Sequence, residues 1–427
     1  MVTPKFTRPK STRERLAQHI RVLRHKFWAA RYTAFVAFMA NTIGRLEHKR
    51  YHKKKAAGEK VVVDKVFAPP PKKERYADFD PVPADISPKR AGAARKARSM
   101  KIEEYPSVDY GFKYEEPPIS GNVLNGLGET EKRRTTQPFF TRGYSGPWNK
   151  LERLFQAINK PALANFILNI FWMDRNRLGV VARKQVAVED PTAMTKEVKS
   201  RARIHGADVV GVAPLQEEMR FEGFDLPFKY AISIALAMDR ETMVQVPTHE
   251  TGLHIQKTYK NVGQIAIDLA QDIRKMGWPA RACTNISPDT YEVQHIPVAI
   301  EAGIGMLGKH GSLITKEFGS NVRLATVLTD LPLAIDGPKD IGVDDFCATC
   351  QICSDNCPPD AIFDVKQLVR GQMKWYVDFD TCIPYFVAND ACGICIEVCP
   401  WSAPGRGPLI SKKMLERREK ASAKTEK

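Results

Sequence analysis

Cysteine is almost absent from the first 346 residues of this 427-residue chain, where Cys283 stands alone. The other eight cysteines lie in the last fifth of the chain. A chain of this size can build its own hydrophobic core, whereas disulfide frameworks are typical of small secreted domains. We therefore interpret the clustered thiols as metal ligands, and reduced thiols favour the cytoplasm.

Acidic residues are scarce near the N-terminus. Residues 1–55 contain only Glu14 and Glu47 against 15 lysines and arginines, so this arm carries most of the net charge of +16. Such an arm suits an anionic membrane surface, an acidic partner protein or nucleic acid. The remainder of the chain is close to neutral, so the basic character does not extend to its body.

No apolar run is long enough to predict a transmembrane helix. The most apolar stretch, residues 27–44, is interrupted by Arg31, and a helix needs about 20 apolar residues to span a bilayer. Its aromatic and aliphatic residues fall on one helical face, which predicts an amphipathic helix that lies in a membrane interface or packs on protein. Residues 56–145 are rich in Pro, Lys and Gly, so we interpret 1–145 as a basic, partly irregular extension.

We expect no export signal. The pair Arg133 and Arg134 is internal and no apolar region follows it, unlike a twin-arginine signal. The expected location is the cytoplasm, with the basic arm as a means of peripheral contact with the inner face of the cytoplasmic membrane.

Strand-like and helix-like segments interleave after a helical lead-in at 146–187. Apolar residues from Val262 to Ile273 repeat at helical spacing, and the pattern ends at Gly277. The pattern predicts a layered α/β domain over residues 188–340. Three short apolar runs have the length of β-strands: 206–215, 229–238 and 323–331.

The clustered cysteines follow a known ligand spacing. Residues 347–358 read C-x2-C-x2-C-x3-C-P, and residues 392–400 repeat all but the first cysteine, a vacancy that Cys382 can fill. In bacterial ferredoxins the first three cysteines of this motif bind one cluster and the fourth binds another. The pattern predicts a ferredoxin-like domain with two 4Fe-4S clusters at 341–402, followed by a charged tail at 403–427. The predicted ligands are Cys347, Cys350, Cys353 and Cys399 for one cluster, and Cys357, Cys382, Cys392 and Cys395 for the other.

Two other interpretations of these motifs are weaker. Pairs of C-x2-C thiolates also hold structural zinc, but zinc ribbons do not need the C-x3-C-P ending that occurs here twice. Residues 303–308, GIGMLG, match the dinucleotide fingerprint, yet they lie late in the domain and Arg323 stands where an acidic residue is expected. The glycines instead favour close approach of the backbone to a large flat ligand, or a tight turn.

Four stretches resemble the corrinoid-dependent reductive dehalogenases: 190–215, 275–282, 296–333 and 374–402. The resemblance implies an α/β (α+β) nitroreductase-like core that binds cobalamin, followed by the ferredoxin-like domain as its source of electrons. It implies an oxidoreductase that removes halide from an organohalide by two-electron reduction and protonation, with the chemistry supplied by the cofactor. A ferredoxin or flavodoxin is the expected electron donor.

The resemblance also implies site residues. In the family a tyrosine donates the proton and a nearby cation stabilises its phenolate, and the matching positions here are Tyr259 and Lys309. Arg370 and Lys374 are candidates for a further cation at the substrate site. The residues expected to bind the cobalamin are Gly303, Gly305, Gly308, His310, Gly311 and Ser312.

Two other functions stay open. Epoxyqueuosine reductases share the cobalamin core and both clusters and act on a tRNA base, which a basic arm would suit. Their glycine-rich stretch reads GWIGKNT where this chain has GMLGKHGS, so nucleic acid is not the expected partner. An electron-transfer subunit would hold the clusters without a corrinoid, and would leave the α/β domain without a role.

Overall fold

The computed structural model describes residues 117–141, 146–158, 173, 176–284 and 291–425. The basic arm, with the amphipathic helix predicted at 27–44, lies outside the described residues. No helix in the described ranges is both long and apolar enough to cross a bilayer.

The described chain is a mixture of helices and short strands. The helices are α1 (Gly121–Leu124), α2 (Asn149–Ile158), α3 (Pro191–Ile204), α4 (Arg240–Met243), α5 (His249–Lys275), α6 (His295–Glu301), α7 (Val343–Thr349), α8 (Ile352–Asp355), α9 (Phe379–Ala388), α10 (Ile394–Glu397) and α11 (Arg406–Thr425). The strands are β1 (Val209–Pro214), β2 (Tyr230–Ala237), β3 (Ala280–Cys283), β4 (Gly305–Leu307), β5 (Leu313–Thr315), β6 (Val322–Thr329), β7 (Gln367–Val369) and β8 (Gln372–Lys374).

A four-stranded sheet forms the centre of the first domain, in the order β1-β2-β6-β3. The three predicted strands are confirmed as β1, β2 and β6, and every pairing in the sheet is antiparallel. The predicted helix is also confirmed: α5 begins after Thr248, whose hydroxyl accepts from the Thr251 N–H, and ends just before Gly277, which has φ +81°. A left-handed glycine at this point terminates the helix.

The two faces of the sheet carry side chains of different size. Val210 and Ile232 pack with α5 and α3 in the largest apolar cluster, whereas Ala235 faces α6. Successive residues of a strand point to opposite faces, so the alternation of large and small side chains sets the spacing of the two helical layers. A Cβ on Gly211 would lie 2.1 Å from the Ala302 carbonyl oxygen, so α6 approaches the sheet this closely only because β1 has a glycine there.

The end of the N-terminal extension wraps the C-terminal domain. In the segment 117–141, the Gly128 N–H donates to the Leu368 carbonyl of β7 at 2.8 Å. The Tyr376 hydroxyl donates to the side-chain oxygen of Asn122 at 2.9 Å. Because its backbone and side chains are paired with the body, this segment belongs to the folded protein and does not act as a linker.

The charged tail is a helix. In α11 the Arg418 guanidinium pairs with two carboxylates, that of Asp340 just before α7 and that of Asp345 in its first turn. The side chain of Met414, also in α11, is buried. The tail therefore packs against the cysteine-rich domain through both charge and apolar contact.

Candidate active site

Four thiols surround a small cavity in the C-terminal domain. Cys347 lies in α7, Cys350 ends that helix, Cys353 lies in α8, and Cys399 follows α10. These four cysteines line one small cavity together with Lys309, His310, Phe346, Pro400 and Trp401. Burial raises the pKa of Cys347 and of Cys399 to about 12. No three His, Cys, Asp or Glu side chains in the described chain lie close enough together to hold one metal ion.

The remaining clustered thiols form a second group. Cys382 interacts electrostatically with Cys357 and Cys392, and Cys395 interacts with all three. Burial raises the pKa of Cys382 well above its usual range, and the nearby Asp378 carboxylate raises it further. The structure therefore brings together the four residues that the motif assigned to the second cluster.

A strained loop delivers two thiols of the second group. Asp390, Ala391 and Cys392 have φ values of 46°, 68° and 43°, and Gly393 follows at 89°. Non-glycine residues rarely adopt this region, and such strain concentrates at functional sites. The loop reverses the chain after α9, so that Cys392 and Cys395 face the thiol carried by the start of that helix.

The two thiol groups adjoin each other. Cys395 of the second group interacts electrostatically with Cys353 and Cys399 of the first. Cys283 takes no part, because its thiol is buried against the Glu292 carboxylate at 3.4 Å. All nine cysteines are free of disulfides.

A larger cavity of about 750 Å³ lies between the α/β domain, the hairpin β7–β8 and the segment 117–141. Its size is typical of ligand and cofactor sites, which combine apolar walls with a few polar groups. Burial lowers the pKa of Lys374 in this cavity to about 8. The apolar wall includes Phe139, Phe140, Met306, Leu307, Trp375 and Val377. The basic residues are Lys132, Arg133, Lys366, Arg370 and Lys374.

Lys309 lies at the first thiol cavity. Its side chain is fully buried, and its Nζ lies 5.1 Å from the centre of the Trp375 indole. Burial lowers the pKa of Lys309, while the neighbouring Cys353 and Asp364 act in the opposite direction. The resemblance paired Lys309 with Tyr259, but the structure places Lys309 among thiols and Tyr259 in a separate apolar cluster.

His310 lies beside Lys309 and lines the same thiol cavity. The Ser312 N–H donates to His310 Nδ1 at 3.2 Å, so the proton of this imidazole is on Nε2. Nε2 then donates to Ser320 Oγ at 2.8 Å, which leaves the hydroxyl proton of Ser320 for the Cys399 sulfur. Burial lowers the pKa of His310 to about 4, which is consistent with a neutral ring.

The glycine-rich stretch forms the hairpin β4–β5 and is not followed by the helix of a dinucleotide site. A Cβ on Gly305 would lie 2.3 Å from the Ile314 carbonyl oxygen, and one on Gly308 would lie 2.6 Å from the Ile314 side chain. Gly303 and Gly311 adopt positive φ. Of the predicted cobalamin-binding residues, Gly311 lines the large cavity. The other three glycines lie in or beside the tight hairpin, where Gly305 and Gly308 approach Ile314 closely.

Tyr259 lies in α5 next to a different cation. The guanidinium carbon of Arg323 lies 5.1 Å from the centre of the Tyr259 ring. Tyr259 also interacts electrostatically with Tyr291, which lines the large cavity. Sequence reasoning missed Arg323 because it is 64 positions away, and only the packing of α5 on β6 brings the two together. In the predicted strand at 323–331, side chains alternate between the two faces of the sheet, and this was the one signal that could have indicated which face carries Arg323.

The cysteine-rich region matches a known family. Residues 346–403 match the model of a 4Fe-4S dicluster domain. The prediction of two 4Fe-4S clusters in this part of the chain is thereby confirmed.

Curated relatives confirm the resemblance to reductive dehalogenases. The tetrachloroethene reductive dehalogenase of Sulfurospirillum multivorans is 30% identical over 268 residues, which are 52% of each chain. An epoxyqueuosine reductase of Leadbetterella byssophila is 34% identical over 125 residues, 25% of this chain and 37% of that one. The chain spans about half the length of the curated dehalogenase that it matches.

A solved structure shows the shared fold. A reductive dehalogenase structure, described as suggesting a mechanism for B12-dependent dehalogenation, superposes with a TM-score of 0.54 at 23% identity. The match covers 70% of this chain and 46% of that one. The mixed α/β architecture with its C-terminal dicluster domain is therefore a reductive dehalogenase fold.

Proposed function

We propose that this chain is a reductive dehalogenase-like oxidoreductase that replaces the halogen of an organohalide with hydrogen. The observation that carries the proposal is the arrangement of two adjoining groups of four thiols beside a cavity of about 750 Å³. The reaction consumes two electrons and one proton and releases one halide ion. The similarity to a tetrachloroethene reductive dehalogenase supports this reaction class.

The thiols fit two 4Fe-4S clusters. Each group has four sulfurs in buried or partly buried cysteines, where a bound cluster would take up the thiolate charge. Loading of iron would release the thiol protons that burial retains. The first cluster would be held by Cys347, Cys350, Cys353 and Cys399, and the second by Cys357, Cys382, Cys392 and Cys395.

The large cavity fits a corrinoid and its substrate. Its apolar wall and basic edge suit a large ring with polar substituents, and the α/β domain beside it would be a nitroreductase-like, cobalamin-binding core. When bound, cobalamin would supply the low-valent cobalt that reacts with the carbon–halogen bond. Arg370 and Lys374 would bind an anionic group of whichever molecule occupies their side of the cavity.

Tyr259 is our candidate for the proton donor. Its ring lies beside the Arg323 guanidinium, which would stabilise the phenolate that is left after proton transfer. Arg323 thus replaces Lys309 as the stabilising cation in the proposal. Tyr291, which lines the cavity, would link Tyr259 to the bound substrate.

A reduced ferredoxin or flavodoxin is the proposed electron donor, and the proposed location is the cytoplasm. The support is the excess of positive charge in residues 1–55, which suits an acidic protein or an anionic membrane surface. Pull-down of an acidic ferredoxin at low salt but not at high salt would support the docking, and equal retention at both would contradict it.

Metal analysis separates the functional classes. The chain, produced anaerobically with cobalamin supplied, should contain about eight iron atoms and about one cobalt atom. Iron without cobalt would indicate an electron-transfer protein. Zinc in place of iron would contradict both the dehalogenase and the electron-transfer function. Halide release from haloalkenes and haloaromatics should be compared with turnover of epoxyqueuosine-containing tRNA, because the epoxyqueuosine reductase match makes that reaction the second candidate.

The variant Tyr259→Phe tests the proton donor. It should lower halide release by about 10²-fold or more, as for loss of a general acid, while iron and cobalt contents stay unchanged. Tyr230→Phe, on a partly buried tyrosine packed against the sheet core, is the matched control and should retain activity. Full activity of Tyr259→Phe would remove Tyr259 from the mechanism.

A further inference from the structure

Lys309 is a buried ammonium group without a hydrogen-bond acceptor among the described residues. Its side chain is 0% exposed, and Nζ has no hydrogen-bond acceptor within the described parts of the chain. Two guanidinium groups of similar burial do have acceptors: Arg281 pairs with Glu292, and Arg274 donates to the Ala280 carbonyl at 3.1 Å. An unpaired buried charge is too costly to persist, so Lys309 needs an anionic acceptor that the chain itself does not provide.

The surroundings of Lys309 point to that acceptor. The residue lines the first thiol cavity, together with Trp401, whose indole N–H is likewise buried without an acceptor among the residues described. The neighbouring His310 is already engaged by Ser312 and Ser320. Two residues with unsatisfied donors thus line one cavity, whose other walls are thiols, the rings of His310 and Phe346, and Pro400.

Lys309 does not face the large cavity directly. The Trp375 ring lies against Nζ and also lines the large cavity, so this indole lies between the ammonium group and any substrate there. A role in stabilising a substrate-derived anion does not suit this position, whereas contact with a cluster in the thiol cavity does.

We propose that Lys309 donates hydrogen bonds from Nζ to sulfur atoms of the cluster held by the first thiol group, and that its charge raises the reduction potential of that cluster. The inference rests on the proposed cluster and assigns Lys309 to electron transfer instead of proton transfer. Net charge and hydrogen bonds to sulfur are main determinants of cluster potentials. Reduction adds one electron to the cluster, so a positive charge beside it stabilises the reduced form. Trp401 acts in the same direction through its indole N–H.

The position of Lys309 gives this charge a directional effect. Lys309 lies on the side of the thiol cavity that is next to Trp375. The Trp375 ring in turn lines the large cavity, so it lies between the first thiol group and that cavity. The positive charge therefore stabilises an electron at the point from which it must leave for the substrate site.

Potentiometric titration of the two clusters, followed by EPR on the full chain, tests the proposal. Lys309→Met removes the charge and keeps the length of the side chain, and Lys309→Arg keeps the charge. The matched control is Lys366→Met, because Lys366 also lies over Trp375, at 5.6 Å, but is partly exposed and paired with Asp344. Trp401→Phe removes only the indole N–H.

We expect Lys309→Met to shift the reduction equilibrium of one cluster toward the oxidised form by about tenfold, which is about 59 mV for a one-electron couple. Trp401→Phe should shift the same cluster less, while Lys309→Arg and Lys366→Met should leave it near the wild-type value. Unchanged potentials in Lys309→Met, equal shifts of both clusters, or an equal shift in Lys366→Met would overturn the proposal.

Loss of the cluster is also informative. If Lys309→Met and Lys309→Gln both lose about four iron atoms per chain while Lys309→Arg keeps them, the cation is required to hold the cluster, which supports the proposal. If all three variants lose iron, packing and not charge is responsible, and the proposal fails. A wild-type chain without about eight iron atoms would instead overturn the proposed function itself.

Discussion

The two thiol groups have the same ligands but different neighbours. The first has the ammonium group of Lys309, the indole N–H of Trp401 and the hydroxyl of Ser320 around it. The second has the carboxylate of Asp378 and, at 3.3 Å from a sulfur, the backbone N–H of Ala361. Donors and positive charge stabilise a reduced cluster, and a carboxylate destabilises it. If the clusters are bound as proposed, the first should therefore be easier to reduce than the second, which favours transfer of electrons from the second group toward the large cavity.

Removal of one proposed ligand from each group of thiols should have the largest effect. Cys399→Ala and Cys395→Ala should each lower the iron content from about eight to about four atoms per chain, because a cluster needs all four thiolates. The two variants should lose different EPR signals, which assigns each signal to its group. If both remove the same signal, the division of ligands between the groups is wrong. Cys283→Ala, outside both groups, is the control and should keep all the iron.

Removal of the negative charge beside the second group should reduce the difference in reduction potential between the two clusters. Asp378→Asn should shift the equilibrium of the second cluster toward the reduced form by about tenfold, because it removes about 1.4 kcal/mol of repulsion. Asn preserves the cap of α9, where the Thr381 N–H is the donor.

Asp380→Asn is the matched control for that change. Asp380 lies in the first turn of the same helix, and the Gly121 N–H donates to its carboxylate. An equal shift in both variants would mean that the second cluster responds to general charge and not to Asp378 in particular.

Loss of the Ser320 hydroxyl should have the smallest effect. Ser320→Ala removes the hydrogen bond to the Cys399 sulfur, so the first cluster should become harder to reduce by about fivefold, as expected for about 1 kcal/mol. Ser354→Ala is the control, because this buried hydroxyl adjoins Cys353 but donates to Asp364 at 2.8 Å. Equal shifts in the two serine variants would contradict the tautomer assigned to His310.

Local patterns predicted several elements correctly. The apolar run at 229–238 became β2 because a short run bounded by polar residues fits a buried strand, and α5 followed from helical periodicity and a terminal glycine. The folded role of residues 117–141 was not predictable in the same way. Contacts such as Gly128 with β7 join residues more than 200 positions apart, and they leave no local pattern.

Position within the site was harder to predict than chemical type. The glycine spacing at 303–308 was visible, but whether each glycine accommodates a ligand or its own chain depends on neighbours such as Ile314. Lys309 was predicted to stabilise the phenolate of Tyr259, yet its neighbours are thiols and not Tyr259. A sequence gives the charge of a side chain, and only its burial and partners decide what that charge can do.

The cysteine-rich dicluster domain was predictable from the sequence alone, because cysteine spacing is a local property: a cluster of fixed size requires thiols at short, fixed intervals along the chain. The contacts between residues remote in sequence became visible only in the tertiary structure. It paired Arg323 with Tyr259, placed Lys309 at the first thiol cavity, and placed the Asp378 carboxylate beside the second group of thiols. These relations depend on distances between residues remote in sequence, which only the packed chain defines.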